Sequence, residues 1–421
     1  MRNILAAVIS SLLALPVLAS MAAMADSQLD AVAYGRYVTD AADCVACHTA
    51  PGGKPFTGGR AFILPFGVLY SPNITPDAAT GIAGYTDDEW VRMLHEGVGR
   101  GGKHLYPAMP YPSYTKMTRD DALAIKRYLM SLAPVEAAPP ENKISFPFNQ
   151  RWGMFFWNLI NNPNRRLEPD ASKSAEYNRG AYLVEALGHC GECHTPRNFM
   201  MALKDSRKFA GAEQDGWVAY NVTADRTSGI GGWTDAALEQ YLSTGHAEGH
   251  GPASGPMAEA VGLSLRFLKP EDIHAIATYL RGVPAQPDGP PAVEAGLPAA
   301  SSGSLGSRLF AQQCAGCHLT NGDGRQSPWA ALRGAHSVGD PAGTNLAQAL
   351  MKGTQIETSQ GVIFMHPYIG PYSDEELAAL GNYAIGQFGF RKGTITVEQI
   401  RALRKRGVDE PAADKSGKPA S

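Results

Sequence analysis

The residues best equipped for chemistry are six cysteines and three histidines arranged as one string written three times: Cys44, Cys47 and His48; Cys190, Cys193 and His194; Cys314, Cys317 and His318. Every cysteine of the chain is used, and each pair is followed at once by its histidine. A disulfide framework would scatter its spacings, and a thioredoxin-like redox pair explains C-x-x-C without the histidine. Zinc gathers four ligands per site, and each string offers three in a cramped row. Covalent attachment of haem c accounts for every position. Two thiols add to the vinyl groups of one porphyrin, and the adjoining imidazole takes the proximal face of the iron. The pattern predicts three covalently bound haem c groups.

A haem iron of this kind takes a second axial ligand, and a methionine thioether opposite histidine raises the reduction potential. Downstream of each string lies one methionine in a Pro/Gly-marked stretch, read as a loop: Met109 in Tyr106-Pro107-Ala108-Met109-Pro110, Met257 in Gly255-Pro256-Met257-Ala258, and Met365 in Ile363-Phe364-Met365-His366-Pro367. His104, His246, His250 and His366 are rival ligands, His366 beside Met365 above all. Met93, Met117, Met130, Met154 and Met351 read as core fillers.

The elements that must hold these groups also recur. Asn73-Ile74-Thr75-Pro76-Asp77 through Gly81-Ile82-Ala83-Gly84-Tyr85-Thr86-Asp87 matches Asn221-Val222-Thr223-Ala224-Asp225 through Gly229-Ile230-Gly231-Gly232-Trp233-Thr234-Asp235 without a gap. Each repeat ends in a helix with one apolar face: Leu123, Ile125, Tyr128, Leu129 and Leu132; Ile273, Ile276, Tyr279 and Leu280; Leu377, Leu380, Tyr383 and Ala384. Thr118 with Asp121 and Ser373 with Glu376 give capping-box starts. A helix before each haem string carries Gly35, Gly180 or Gly306, so that the closing helix with its tyrosine can cross at short range. The fold class is mainly α: three tandem class I cytochrome c-like haem domains joined by Pro/Ala-rich linkers. The boundaries read as 26–135, 176–285 and 304–390, with a linker and aromatic segment at 136–175, a second linker at 286–303 and a polar tail without an apolar helix at 391–421. Within 146–160, Phe146, Phe148, Trp152, Phe155, Phe156 and Trp157 suit packing between domains, or the sharper alternative of a partner or membrane surface.

Residues 1–25 carry Arg2, an uncharged apolar run and small residues ending at Ala25, the pattern of an export signal peptide; an uncleaved anchor is the alternative. Either puts the body of the chain outside the cytoplasm. A net charge of -3 argues against a nucleic-acid partner. Gly97-Val98-Gly99-Arg100-Gly101-Gly102-Lys103 imitates a phosphate-binding loop, but it comes after a predicted helix over 86–96 and is read as a loop leading to Met109. Asn73 and Asn221 begin glycosylation-like strings, and their recurrence points to a shared turn near a haem edge.

With these motifs together, and with Tyr106-Pro107-Ala108-Met109-Pro110-Tyr111, Arg179-Gly180-Ala181-Tyr182-Leu183, Cys193-His194-Thr195-Pro196-Arg197 and Gly255-Pro256-Met257-Ala258-Glu259-Ala260, the chain resembles the triheme cytochrome c subunits of bacterial membrane-associated dehydrogenases. That family serves alcohol, gluconate, fructose or sorbitol, and FAD-dependent glucose dehydrogenases. The resemblance implies an electron-transfer subunit with no substrate site of its own. It would take electrons from a catalytic subunit holding a flavin, quinone or molybdenum cofactor and pass them to ubiquinone or a terminal oxidase. It implies a periplasmic place on the outer face of the inner membrane, with attachment peripheral or through partners. Some relatives end in an amphipathic membrane-docking helix, which this tail does not resemble. Two other readings stay open: the cytochrome subunit of a molybdenum-containing aldehyde or heterocycle dehydrogenase, and a self-sufficient haem peroxidase. Methionine-capped irons leave no place for peroxide and argue against the last.

Overall fold

The computed structural model describes residues 29–290, 302–325 and 327–409; the expected export signal, most of the expected linker at 286–303 and the end of the tail lie outside them. Three times along the chain, a helix bearing a glycine crosses a later helix bearing a tyrosine. The pairs are a helix over 29–41 with Arg119–Met130, Ala175–Tyr182 with Pro270–Arg281, and Leu305–Leu309 with Asp374–Phe388. A Cβ at Gly35, Gly180 or Gly306 would lie 2.2, 1.9 or 2.2 Å from the carbonyl oxygen of Ala124, Ala275 or Ala379. Each would also crowd the Cβ of Tyr128, Tyr279 or Tyr383. Only a residue without a side chain lets the two backbones touch, which is the geometry the glycines predicted.

Local signals set where the helices begin. Thr86 and Ser373 close full capping boxes with Glu89 and Glu376. Thr118 caps the nitrogen of Asp121, but the Asp121 carboxylate does not return to the cap. It takes hydrogen bonds from Tyr34 at 2.6 Å and from Tyr182 at 2.5 Å. The second and third opening helices loosen into π turns: Leu183–Leu187, shortly before the second haem string, and Phe310–Cys314, which runs into the first cysteine of the third. Such widened turns shift the register of the residues after them, and they recur at functional sites.

One continuous core runs through the first two repeats, from Val38, Ile74, Trp90 and Leu129 to Leu183, Phe209, Leu242 and Ile276. The two repeats are therefore one packed body. Their tyrosines are exchanged. Tyr37 of the first donates to Asp272 on the closing helix of the second at 2.6 Å, and Tyr182 of the second donates to Asp121 on the closing helix of the first. Asp272 is held from its own side by Arg179 at 2.6 and 2.8 Å. Beside this exchange, Lys116 reaches Glu185 at 2.7 Å, and Lys208 and Tyr279 close on the same carboxylate.

The third repeat has its own core around Phe310, Leu346, Met351, Leu377, Ile385 and Phe388. It meets the second through the hairpin Thr354–Thr358 and Gly361–Met365, where Ile356 packs on Ala253, Ala258 and Val261. Its core does not stop at residue 390. A helix over Val397–Asp409 covers it, with Ile395, Ile400 and Leu403 buried. Arg404 binds Asp374 at 2.7 Å and the carbonyls of Tyr372 and Ile369. The expectation of a polar tail without an apolar helix is therefore corrected from 391 to 409: Ile400 and Leu403 on the helix, with Ile395 just before it, suffice when a part-buried arginine pins the helix to its neighbours.

The stretch at 136–175 is also folded. Lys143–Ile144 adds a strand to the hairpin Ala61–Leu64 and Gly67–Tyr70, and Gly153–Asn161 forms a helix. Of its aromatic residues only Trp157 is buried; Phe146, Phe148, Trp152, Phe155 and Phe156 are exposed, so packing between domains is not what most of them do.

Candidate cofactor-attachment sites

Each haem string forms one short turn of helix: Cys44–Cys47, Gly191–His194 and Ala315–His318. This turn brings the second thiol and the adjoining imidazole to the same side as the first thiol. None of the six cysteines is paired in a disulfide. Burial pushes up the thiols of Cys47 and Cys190, to about 12, and those of Cys193 and Cys314, to about 11.

The histidines are prepared in one way three times. His48 Nδ1 bonds the carbonyl of Pro72 at 2.8 Å, His194 Nδ1 that of Tyr220 at 2.7 Å, and His318 Nδ1 that of Ala330 at 2.7 Å. A carbonyl can only accept, so each Nδ1 carries the proton and each Nε2 is left with a free lone pair. Burial lowers all three below the usual histidine range against the opposing pull of the carbonyl, which keeps the imidazoles neutral. A neutral imidazole with its proton fixed on Nδ1 is what an iron ligand requires. Thiols, turn and tautomer together fit a covalently held haem.

Sequence reasoning did not find these carbonyls, although a signal for two of them was present. Pro72 and Tyr220 each precede the repeated asparagine. Asn73 is buried, accepts from Thr75 at 2.9 Å, and donates to Thr80 and to the carbonyl of Val135 at 2.9 and 2.7 Å. Asn221 does the same with Thr223, Ser228 and Gln286. The asparagine staples the irregular segment whose preceding carbonyl orients the histidine, and its amide is fully engaged, as the reading of a structural turn expected.

A model of the cytochrome c family matches residues 32–133 and 304–384. The fructose dehydrogenase cytochrome subunit of Gluconobacter japonicus is 35% identical over 92% of this chain and 86% of its own length. The gluconate 2-dehydrogenase cytochrome c subunit of Pantoea cypripedii is 35% identical over 96% of this chain and 95% of its own. A nicotinate dehydrogenase subunit of Pseudomonas putida is 40% identical over 85% of this chain, which spans 30% of that longer protein. The chain belongs to the cytochrome c subunits of bacterial dehydrogenases. Membership implies covalently bound haem c, and the attachment turns are built for it.

In this cytochrome subunit the three methionines stand on three different supports. Met109 ends a turn closed onto Tyr106 and packs against the joint core. Met257 is the third residue of the helix Gly255–Leu263, and Met365 ends the strand Gly361–Met365. The expectation that all three lie in loops holds for Met109 alone. Proline begins the helix of Met257, and the Pro/Gly flanks of Met365 bound a hairpin. Of the rival ligands, His250 is stacked on Trp233 at 3.7 Å, His246 is buried against Trp329, and His366 is exposed. The glycine-rich stretch is a loop, as expected, with Gly97 ending the helix Asp87–Glu96.

Contacts also cross between the sites. Arg60 joins the carbonyl of Ala46, inside the first haem string, to Glu259, two residues after Met257. The ring of Tyr220, whose carbonyl holds His194, stacks on His336 of the third repeat at 4.0 Å.

Proposed function

We propose that the chain is a trihaem electron-transfer subunit of three cytochrome c-like domains. It accepts electrons from a catalytic dehydrogenase subunit that oxidises a CH-OH donor, and passes them to ubiquinone or a terminal oxidase on the periplasmic face of the inner membrane. The observation that carries this reading is the threefold use of one arrangement: a C-x-x-C turn, a histidine with Nδ1 on a carbonyl, and a glycine-tyrosine helix crossing behind it. Cys44 with Cys47, Cys190 with Cys193, and Cys314 with Cys317 would hold the haems, with His48, His194 and His318 proximal and Met109, Met257 and Met365 distal. A haem bound in this way takes up and gives up one electron at a time. The protein's part is to fix both axial ligands, exclude water and keep neighbouring sites rigidly spaced, which the joint core does for the first two.

A second reading rests on the 40% identity to a nicotinate dehydrogenase subunit, which favours a partner that oxidises a nitrogen heterocycle. Mass spectrometry of the full chain, then stopped-flow mixing with each candidate catalytic subunit and its substrate, tests both. The expected result is the mass of three covalent haems, no turnover by the chain alone, and fast reduction with an alcohol- or sugar-oxidising partner. Fewer haems, or substrate oxidation by the chain alone, overturns the proposal. Reduction only through a heterocycle-oxidising partner selects the second reading.

A further inference from the structure

The helix Gly153–Asn161 has two faces that use opposite halves of its apolar residues. Trp157, Asn158 and Asn162 point inward. Trp157 Nε1 donates to the carbonyl of Met200 at 2.8 Å, Tyr111 donates to Asn158 at 2.6 Å, and the amides of Asn158 and Asn162 donate to the carbonyls of Glu96 and His95. Trp152, Phe155, Phe156, Leu159 and Ile160 keep the i, i+3, i+4, i+7, i+8 pattern of a core-facing stripe, yet they face outward. Leu159 and Ile160 are 74% and 67% exposed, and Phe146 just before the helix is 77% exposed. Seven of the seventeen large hydrophobic side chains exposed among the described residues fall within 146–160. Phe199, 95% exposed, belongs to the loop on which Trp157 is seated.

The charge of this segment differs from that of the rest of the chain. From Asn142 to Leu167 there are four basic residues, Lys143, Arg151, Arg165 and Arg166, and no acidic one, in a chain of net charge -3. Lys143 and Arg165 are exposed at its two ends. An outward aromatic and aliphatic stripe with exposed cations on both sides, and the exposed Glu141 and Glu168 only beyond them, is matched to the interface of an anionic bilayer, where rings and aliphatic groups enter the headgroup boundary and cations meet lipid phosphates. No helix among the described residues is long and apolar enough to cross a membrane, so such a contact would lie in the surface plane.

We propose that residues 146–160 dock the chain on the surface of an anionic phospholipid membrane. The segment is tied directly to the loop of Met109: Tyr106 donates to the carbonyl of Phe148 at 2.8 Å, and Arg151 binds the carbonyl of His104 at 2.8 Å while covering the ring of Tyr106. Docking there holds the Met109 side of the first repeat toward the lipid, where a membrane-dissolved quinone would be met. This step rests on the electron-transfer reading above.

The test is co-sedimentation of the haem-loaded full chain with vesicles of phosphatidylethanolamine and phosphatidylglycerol, and with vesicles of phosphatidylcholine alone. The chain is expected to bind the anionic vesicles in a salt-sensitive way. Phe155→Ser with Leu159→Ser should lower binding about tenfold. Lys143→Gln with Arg165→Gln should lower it several-fold on anionic vesicles only. These side chains are exposed, so the visible spectrum and reduction by the dehydrogenase partner in detergent should not change; loss of that reduction in the unaltered chain would instead count against the electron-transfer reading. Equal vesicle binding by unaltered chain and Phe155/Leu159 variant overturns the proposal. So does a variant that keeps vesicle binding but no longer holds the dehydrogenase subunit, which would make the stripe a protein interface.

Discussion

Replacing Glu185 with glutamine should remove a pH-dependent contribution to the stability of the joint body of the first two repeats. Burial alone would raise this carboxyl, but the ammonium groups of Lys116 and Lys208 overcome it and hold Glu185 at about 2 against an ordinary 4.5. A carboxyl held that far down in the folded state contributes about 3 kcal/mol of stability at neutral pH. Because the folded value lies below the unfolded one, the contribution is complete above about pH 5 and is lost as pH falls toward 2. Glutamine keeps the shape and removes the charge, leaving two ammonium groups on one buried amide. Urea unfolding monitored by circular dichroism, at pH 7 and at pH 3, reads the difference between the two proteins, and carboxylates common to both cancel. The unaltered protein should exceed Glu185→Gln by about 3 kcal/mol at pH 7, and the gap should shrink steadily below pH 4. A gap of the same size at both pH values would refute the account, because it would then arise from packing and not from charge.

Gly180→Ala should force apart a helix pair whose backbones leave 1.9 Å for the new Cβ, costing about 2–3 kcal/mol and lowering the melting temperature by about 5–10 °C in calorimetry; an unchanged transition would mean that the crossing can slide. Ile400→Ala, at a fully buried position of the last helix, should cost about 2–4 kcal/mol and destabilise the third repeat without moving the transition of the first two. An unaffected third repeat would return that helix to the status of a tail.

The features legible in the sequence were those a side chain announces. The C-x-x-C-H strings marked the attachment turns, the glycines before them marked the helix crossings, and Thr118 and Ser373 marked helix starts to the residue. What stayed hidden depended on partners distant in sequence or on groups without a side chain. The carbonyls of Pro72, Tyr220 and Ala330 have no signature of their own, and only the asparagines after the first two hinted at a fixed turn. The apolar faces of the closing helices are the same whether they meet their own repeat or a neighbour, so the joint core could not be read. In the last helix, Ile400 and Leu403 lie among charges and look solvated; burial comes from Arg404 reaching Asp374 and two carbonyls. The aromatic stripe of 152–160 has the periodicity of a buried face, and periodicity does not say which side of a helix meets the protein.

The crossed tyrosines have one more consequence. Tyr37 and Asp121 both belong to the first repeat, and Tyr182 and Asp272 both belong to the second, so each repeat carries a donor and an acceptor of the same bond. That is the logic of an isologous dimer, in which one surface is complementary to itself, here written into a single polypeptide. The first two repeats exchange this bond as the two halves of such a pair would, and the segment joining them replaces a concentration-dependent encounter with a permanent one. Dilution therefore cannot part the two attachment sites, and whatever spacing the pair sets between their cofactors is a property of the gene and not of the cell's protein level.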